Sequence, residues 1–432
     1  MIRWVIDTAH AAGSTTVITV IGHDREQVIP HLADCVTAIQ EELLGTGHAV
    51  MMARAELDNL LACDQAPTLL VLCGDTPLLT SATVAHFVAS HQAQQAAASV
   101  LTFIAEDPFG YGRIIRDDTH HLAGIVEEKD ATEAQRALSE VNSGMYCFDL
   151  RALLESLDAL DAHNAQNEYY LTDTLALIRQ AGGTVCAFTC ADANEALGIN
   201  DRTQLAAATR IAQARINREH MLNGTTMLDP CSVWIGPDVS LAQDVELLPL
   251  TFLMGTTAVG EGSRLGPNTR VTDSLIGREC VIEESVVNSV QLEDRVQVGP
   301  RAFLRPGTLM RTGSRAGTHV EIKNSEIGPN SKVPHLSYIG DATLGSDVNI
   351  GAGSITCNYD GTIKSKTRIG DRCMVGSDTM FVAPVTIGSD VVTGAGSVIT
   401  KDVPDGALAI ERNDQRNIEG YAERKRKKQS EH

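Results

Sequence analysis

From about Gly224 to Ile410 the chain repeats a six-residue unit in which an aliphatic residue precedes glycine, as in Ile235-Gly236, Val259-Gly260, Ile276-Gly277, Ile327-Gly328, Leu344-Gly345, Ile350-Gly351, Ile369-Gly370 and Ile387-Gly388. Six-residue steps link Val259 to Leu265, Leu344 to Ile350 and Ile369 to Val375. An α-helix cannot produce this rhythm, because its apolar stripe recurs near 3.6 residues. A parallel β-helix can: each six-residue side gives a short strand and a turn, three sides close a coil, and aliphatic side chains stack in rows inside. The stretch 224–411 therefore predicts about ten coils. Glycine is expected where the backbone bends sharply or takes positive φ.

The first half has a different pattern. Thr16–Ile21 and Thr68–Cys73 are apolar, β-branched runs ended by Gly22 and Gly74, and helical stretches such as Ala82–Gln94 follow such runs. Alternating strand and helix predicts an α/β domain over 1–201, a Rossmann-like parallel sheet with helices on both faces. Ligands of such sheets bind beyond the carboxyl ends of the strands. Residues 202–223 predict a connecting helix, with Leu205, Ala208, Ile211, Ala212, Ile216 and Met221 as its apolar stripe and Gly224 as its stop. We read it as a rigid connector, leaving 412–432 as a solvated tail that carries Arg424-Lys425-Arg426-Lys427-Lys428.

At 432 residues the chain exceeds what one core supports. Its 4% aromatic content suits small aliphatic stacks. It has no run of 18 or more apolar residues and no charged-then-apolar leader, so neither a membrane partner nor secretion is expected. Ten cysteines without dense disulfide spacing fit a cytoplasmic protein, and the apolar neighbours of Cys186 and Cys190 favour buried thiols over a metal pair. A net charge of −20 argues against nucleic acid but leaves room for small anionic substrates met by a few placed cations.

Several segments carry chemistry. Asp75, in Gly74-Asp75-Thr76-Pro77 at a strand end, can hold a metal that bridges phosphate oxygens, or can simply form a turn. Gln40–Ala49 contains a glycine-rich turn, Phe109–Arg113 reads F-G-Y-G-R, Glu127–Asp130 and Asn142-Ser143-Gly144 mark strand ends, and Asn167–Asp173 reads N-E-Y-Y-L-T-D. Turn formation explains each in isolation, and their order carries the information. In the repeats, Pro334-His335-Leu336-Ser337-Tyr338 precedes Asn349 and then Asn358-Tyr359-Asp360-Gly361, which breaks the rhythm. The break, from about Cys357 to Thr367, predicts a loop thrown out of the coil and carrying Lys364 and Lys366. A histidine beside Asn, Tyr and Lys groups at such a break suits a general base for an amine.

The order of these segments resembles the bifunctional bacterial N-acetylglucosamine-1-phosphate uridyltransferase / glucosamine-1-phosphate N-acetyltransferase family, over about Arg3 to Arg412. The resemblance implies a nucleotidyltransferase domain joined to a left-handed β-helix, a homotrimer, and a product, UDP-N-acetylglucosamine, used for peptidoglycan and lipopolysaccharide precursors. It implies Gln40, Gly45 and Thr46 at the uracil end of UTP, with Gly112, Glu127, Asn142 and Thr172 on the sugar of N-acetylglucosamine 1-phosphate. Asp75 and Asn200 would ligate Mg²⁺. For acetyl transfer it implies His335 as general base, and Arg305, Lys323, Tyr338, Asn349 and Lys364 on glucosamine 1-phosphate. Ala352, Asn358, Tyr359, Ser377, Ala395 and Arg412 would meet acetyl-CoA.

Two departures stand out. Met1–Asp7 resembles the helix that follows the family's glycine-rich phosphate loop, so uridylyl transfer is expected to be absent or weak in the chain as given. Pro334 replaces a glycine before the histidine; it confines Val333 to extended backbone, which suits a β-helix side. An acetyltransferase alone and a non-catalytic sugar-nucleotide-binding trimeric scaffold remain alternatives. A zinc hexapeptide carbonic anhydrase is disfavoured, because the repeats hold only His319 and His335.

Overall fold

The computed structural model describes residues 1–63, 67–162, 164 and 166–430. It divides into two compact units, Met1–Ala212 and Gln213–His432.

In the second unit every strand lies parallel to the one above it, in three sheets of 10, 9 and 11 strands. The register shows how the sequence rhythm becomes a column. Ile235 pairs with Leu253, Leu253 with Val271, Val271 with Val287, and Val287 with Leu304, all of them buried. Residues on either side of each inward position point outward, which is the period-2 pleat of a strand. Apolar area is thus removed from water coil by coil, roughly 25 cal/mol per Å².

Of the aliphatic-glycine pairs, Leu265-Gly266 and Val298-Gly299 take the expected positive φ (108° and 105°), but others have a different cause. Gly260 and Gly328 do not take positive φ. A Cβ on Gly260 would lie 2.6 Å from the Gly277 carbonyl oxygen of the next coil, and one on Gly328 would collide with the Gly345 oxygen. Glycine is required here by close approach between coils. The left-handed turn falls two residues later, on Glu279, Asp347, Arg372, Asp378 and Asp390.

After a first step of 20 positions from Thr226 to Glu246, coil-to-coil steps of 16 to 18 positions are interrupted where Ile355 pairs with Met380 and Ala342 with Thr367. The extra length is the loop expected between Cys357 and Thr367. It is closed by a bridge between Tyr359 and Lys364, and Asp360 accepts from the Thr362 and Ile363 amides at 2.8 and 2.7 Å. Pro334 sits inside the strand Lys332–His335, as its extended bias allows.

The helix Arg202–Leu222 forms, but its stripe is only partly buried. Leu205 is 42% and Met221 37% exposed, whereas Ala208 packs with Leu78 and Ile199. Two amides are buried instead. Asn217 Nδ2 donates to the Pro230 and Val233 carbonyls at 2.8 and 2.9 Å, and Gln213 Nε2 also donates to Val233. The first coil has no coil below it to satisfy these carbonyls, so polar side chains do so.

The first unit is α/β with a mixed sheet, not the all-parallel one expected. The strand Glu140–Asp149 runs antiparallel to both Thr68–Val71 and Ala98–Ile104, and only Val185–Thr189 joins Ala98–Ile104 in parallel. Ile18–Ile21 and Val36–Ile39 form a separate two-stranded parallel sheet. A cavity of about 650 Å³ reaches from its strand Ile18–Ile21 and the helix Ile2–Ala11 to Thr68–Val71. Among the described residues, the facing edges of Ile18–Ile21 and Thr68–Val71 pair with no further strand. The tail run 424–428 lies on an exposed helix, Tyr421–Ser430.

Candidate functional site

The cavity of the first unit has an apolar body, from Ile2, Val5, Val17, Val50 and Leu69, and a polar end formed by Thr46, Gly112, Glu127, Asn142 and Thr172. Those five come from five separate segments and were all expected at a sugar or nucleotide. Strand pairing fixes them: the Asn142 amide donates to the Gly112 carbonyl at 2.8 Å, and Asn142 Nδ2 donates to the buried Tyr146 hydroxyl at 2.8 Å. Glu127 accepts from Thr172 Oγ1 at 3.3 Å. Burial pushes its carboxyl above the usual range, opposed by the Thr172 bond and aided by the charges of Asp173 and Asp130.

Arg113 braces this end. It is 2% exposed, pairs with Glu128 at 2.8 Å and donates to the Tyr111 and Arg136 carbonyls. Gly45 has φ 102° at the start of the helix Thr46–Met52, and a side chain there would meet the Tyr169 oxygen at 2.7 Å. Gln40 Nε2 donates to the Gly45 carbonyl at 3.1 Å, and the Leu171 amide donates to Thr46 Oγ1 at 3.2 Å. The glycine turn and the Y-Y-L-T segment are thus one assembly.

Asp75 and Asn200 flank a common point. A Cβ on Gly198 would lie 3.5 Å from Asp75 Oδ2 and 3.9 Å from Asn200 Nδ2, and the Ile199 amide donates to the Asp75 carbonyl at 3.0 Å. No group of three or more His, Cys, Asp or Glu side chains suited to a metal occurs among the described residues. One carboxylate and one amide oxygen still fit Mg²⁺, which keeps waters and shares substrate phosphates. Sequence reasoning missed Tyr111. Burial pushes its hydroxyl above the usual range, against a backbone bond to Gly198 and with the charge of Asp75. Cys186 is half-buried and Cys190 buried.

On the β-helix the expected acetyl-transfer residues fall into two groups. The Gly353 amide donates to the His335 carbonyl at 3.3 Å, Asp378 to Ala352 at 2.7 Å, and Gly396 to Ser377 at 2.8 Å. Arg412 Nη1 lies 3.4 Å from the Ala395 oxygen. His335, Ala352, Ser377, Ala395 and Arg412 therefore follow one corner of successive coils, with His335 at one end and small side chains beyond it. The second group gathers at the next corner, where Lys323 pairs with Gly340, and Asn358 opens the loop carrying Tyr359 and Lys364. Tyr338 lies on the strand between the two corners. Asn349 pairs with Lys332 on the strand that leads to His335. Arg305 is engaged by Glu321 at 2.7 Å and lies over the Phe303 ring.

Comparison with known proteins bears on both units. The nucleotidyl transferase family model matches residues 1–194, and the bacterial transferase hexapeptide (six repeats) model matches 366–401. A bifunctional protein GlmU of Heliobacterium modesticaldum is 51% identical over 428 residues, 99% of this chain and 92% of that protein. Proteins of the same name from Streptomyces avermitilis and Halalkalibacterium halodurans are 47% and 43% identical, over 99% and 98% of this chain and 89% and 92% of their own length. With an N-terminal nucleotidyltransferase unit, a left-handed hexapeptide β-helix and this identity along nearly the whole chain, the protein belongs to the bifunctional GlmU family.

Proposed function

We infer that the chain acetylates glucosamine 1-phosphate with acetyl-CoA and transfers uridylyl from UTP to N-acetylglucosamine 1-phosphate, giving UDP-N-acetylglucosamine. Full-length identity to bifunctional relatives carries this reading. The non-catalytic scaffold lacks any comparable support.

For acetyl transfer we propose His335 as general base. Its ring takes a proton from the sugar amine as the amine nitrogen bonds to the acetyl carbon; the carbon–sulfur bond then breaks and coenzyme A leaves as the thiol, the sulfur taking that proton back from the ring. The thioester is already activated, so deprotonation and positioning are what the protein must supply. Arg305, Lys323, Tyr338, Asn349 and Lys364 hold the amino-sugar phosphate, the cations through charge-assisted bonds. The corner from Ala352 through Ser377 to Ala395 receives acetyl-CoA, with Asn358, Tyr359 and Arg412 at its margins.

In the first unit the sugar lies against Gly112, Glu127, Asn142 and Thr172, and the uracil end against Gln40, Gly45 and Thr46. A phosphate oxygen of the sugar bonds to the α-phosphorus of UTP and pyrophosphate leaves. Asp75 and Asn200 would hold Mg²⁺, which would supply charge neutralisation to the phosphates. Pyrophosphate release from UTP in the presence of N-acetylglucosamine 1-phosphate tests this half of the reading, and no release would refute it.

We further propose a cytoplasmic homotrimer. The described residues form no helix long and apolar enough to cross a membrane. The β-helix displays exposed Phe252, Leu275, Phe303, Met374 and Val392, which association would cover. Light scattering checks the trimer, and an active monomer would refute it.

The deciding experiment is His335→Ala. Acetylation of glucosamine 1-phosphate should fall by about two to four powers of ten, with UTP-dependent turnover unchanged. Near-normal acetylation would remove His335 from the role.

A further inference from the structure

Asp341 is part of no assignment made so far, yet it is the buried charge nearest the loop foot. It occupies a corner in the left-handed conformation (φ 49°) and is 8% exposed. Each carboxylate oxygen has its own amide donor. Asn324 Nδ2, one coil below, donates to Oδ1 at 2.6 Å, and Asn358 Nδ2, one coil above, donates to Oδ2 at 2.5 Å. The Asp341 backbone is tied as well. Its amide donates to the Lys323 carbonyl at 3.1 Å, and its carbonyl accepts from the Thr367 amide at 3.2 Å. Gly340 beside it donates to Thr356 Oγ1 at 2.7 Å.

These contacts join everything that the acetyl site needs at this corner. Asn358 and Thr367 are the two feet of the inserted loop, and Lys364 rides between them. Lys323 shares the Asp341 backbone link on the coil below. Burial by itself would raise the Asp341 carboxyl, but the two amide donors and the positive charges of Lys323 and Lys364 outweigh it and hold it below the usual range. The carboxylate is therefore ionised at neutral pH, and the charges of both lysines act on it. A buried ionised carboxylate is costly unless fully hydrogen-bonded. Here it is bonded, and what it holds is the wall of the site.

We propose that Asp341 is a positioning residue for acetyl transfer: it fixes Asn358 and both feet of the loop and holds Lys323 and Lys364 toward the phosphate of the amino sugar. It touches no reacting atom. The proposal rests on the reading of this corner as the glucosamine 1-phosphate site.

Asp341→Asn keeps the shape, suits left-handed backbone and removes the charge, leaving two amide donors aimed at one amide group. Steady-state acetylation by the full chain, varying each substrate, tests it. KM for glucosamine 1-phosphate should rise roughly tenfold or more, KM for acetyl-CoA should rise less because only its marginal contacts Asn358 and Tyr359 are loosened, and the melting temperature should stay within a few degrees. Asn324→Ala removes one donor outside the site and should raise the same KM by about threefold, so the proposal stands or falls even if Asp341→Asn folds poorly. An unchanged KM for the amino sugar in both variants would overturn it. Equal losses for both substrates that follow the fall in stability would also overturn it, since that is a structural role alone. Should His335→Ala retain full activity, the site reading itself falls; an inactive His335→Ala beside a normal Asp341→Asn removes only Asp341.

Discussion

Replacing Gly260 by alanine tests why the repeat contains glycine at all. If the glycines served left-handed turns, alanine would strain every one of them alike. Gly266 and Gly299 do take positive φ, but glycines such as Gly260 and Gly328 do not, and there the reason is contact between coils, which differs from site to site. At Gly260 the new Cβ would sit 2.6 Å from the Gly277 oxygen, 2.7 Å from the Gly277 carbon and 2.9 Å from the Arg278 nitrogen. All three are backbone and cannot swing away. At Gly236, in the same aliphatic-glycine pattern and also without positive φ, the nearest atom is the Leu253 oxygen at 3.6 Å, an ordinary contact. Overpacking of the first kind costs about 1–3 kcal/mol. Alanine also narrows the unfolded ensemble, which stabilises by about 0.4–1 kcal/mol wherever the native backbone accepts it. Gly260→Ala should therefore destabilise by up to roughly 2.6 kcal/mol. Gly236→Ala should be neutral or stabilise by up to about 1 kcal/mol. For a unit of this size the two variants should melt roughly 2–10 °C apart. Thermal or urea unfolding followed by far-ultraviolet circular dichroism reads this directly. Equal shifts in the two variants would refute the argument from close approach.

Glu127→Gln should trade function for stability. Because burial raises the carboxyl in the folded state, its contribution is full below the unfolded value of about 4.3 and is lost as pH rises through the raised folded value. The variant should lose less stability than the parent between pH 4 and 7 in urea unfolding while weakening sugar binding; identical pH slopes would contradict this. Chelating divalent cations with EDTA should stop pyrophosphate release and leave acetyl transfer intact, since Asp75 and Asn200 belong to the first unit only. Loss of both activities would place the metal elsewhere.

The coil architecture was legible because a strict period leaves few alternatives, and a departure from it marks the loop directly. Strand direction in the first unit was not legible: an apolar run such as Thr68–Val71 reads the same in a parallel or an antiparallel ladder. The roles of Gln213 and Asn217 were hidden because a polar residue on a helix reads as solvated, and only the open end of the β-helix gives it carbonyls to satisfy. Asp341 looked like any corner residue. The signal was present as Asn324 and Asn358, each 17 positions away, but reading it requires the coil register.

The corner carrying His335 makes one more demand. Backbone groups of a β-helix are spent on bonds between coils, so a ligand must meet side chains at corners or on inserted loops. Along this corner the side chains after His335 are those of Ala352, Ser377 and Ala395, and the last two are exposed. A row of small groups beside a basic one forms a shelf on which a long ligand can lie. Ala395→Phe should obstruct that shelf without disturbing the core, since the side chain points to solvent and Ile399, Val391 and Val385 beneath it are unchanged. KM for acetyl-CoA should rise by tenfold or more, about 1.4 kcal/mol in binding. KM for glucosamine 1-phosphate, held at the neighbouring corner, should stay within about twofold of the parent value, because no contact to Lys323, Tyr338 or Lys364 changes. The measurement is initial acetylation rate against each substrate in turn. A rise in both constants, or in neither, would mean that acetyl-CoA does not lie along Ala352, Ser377 and Ala395.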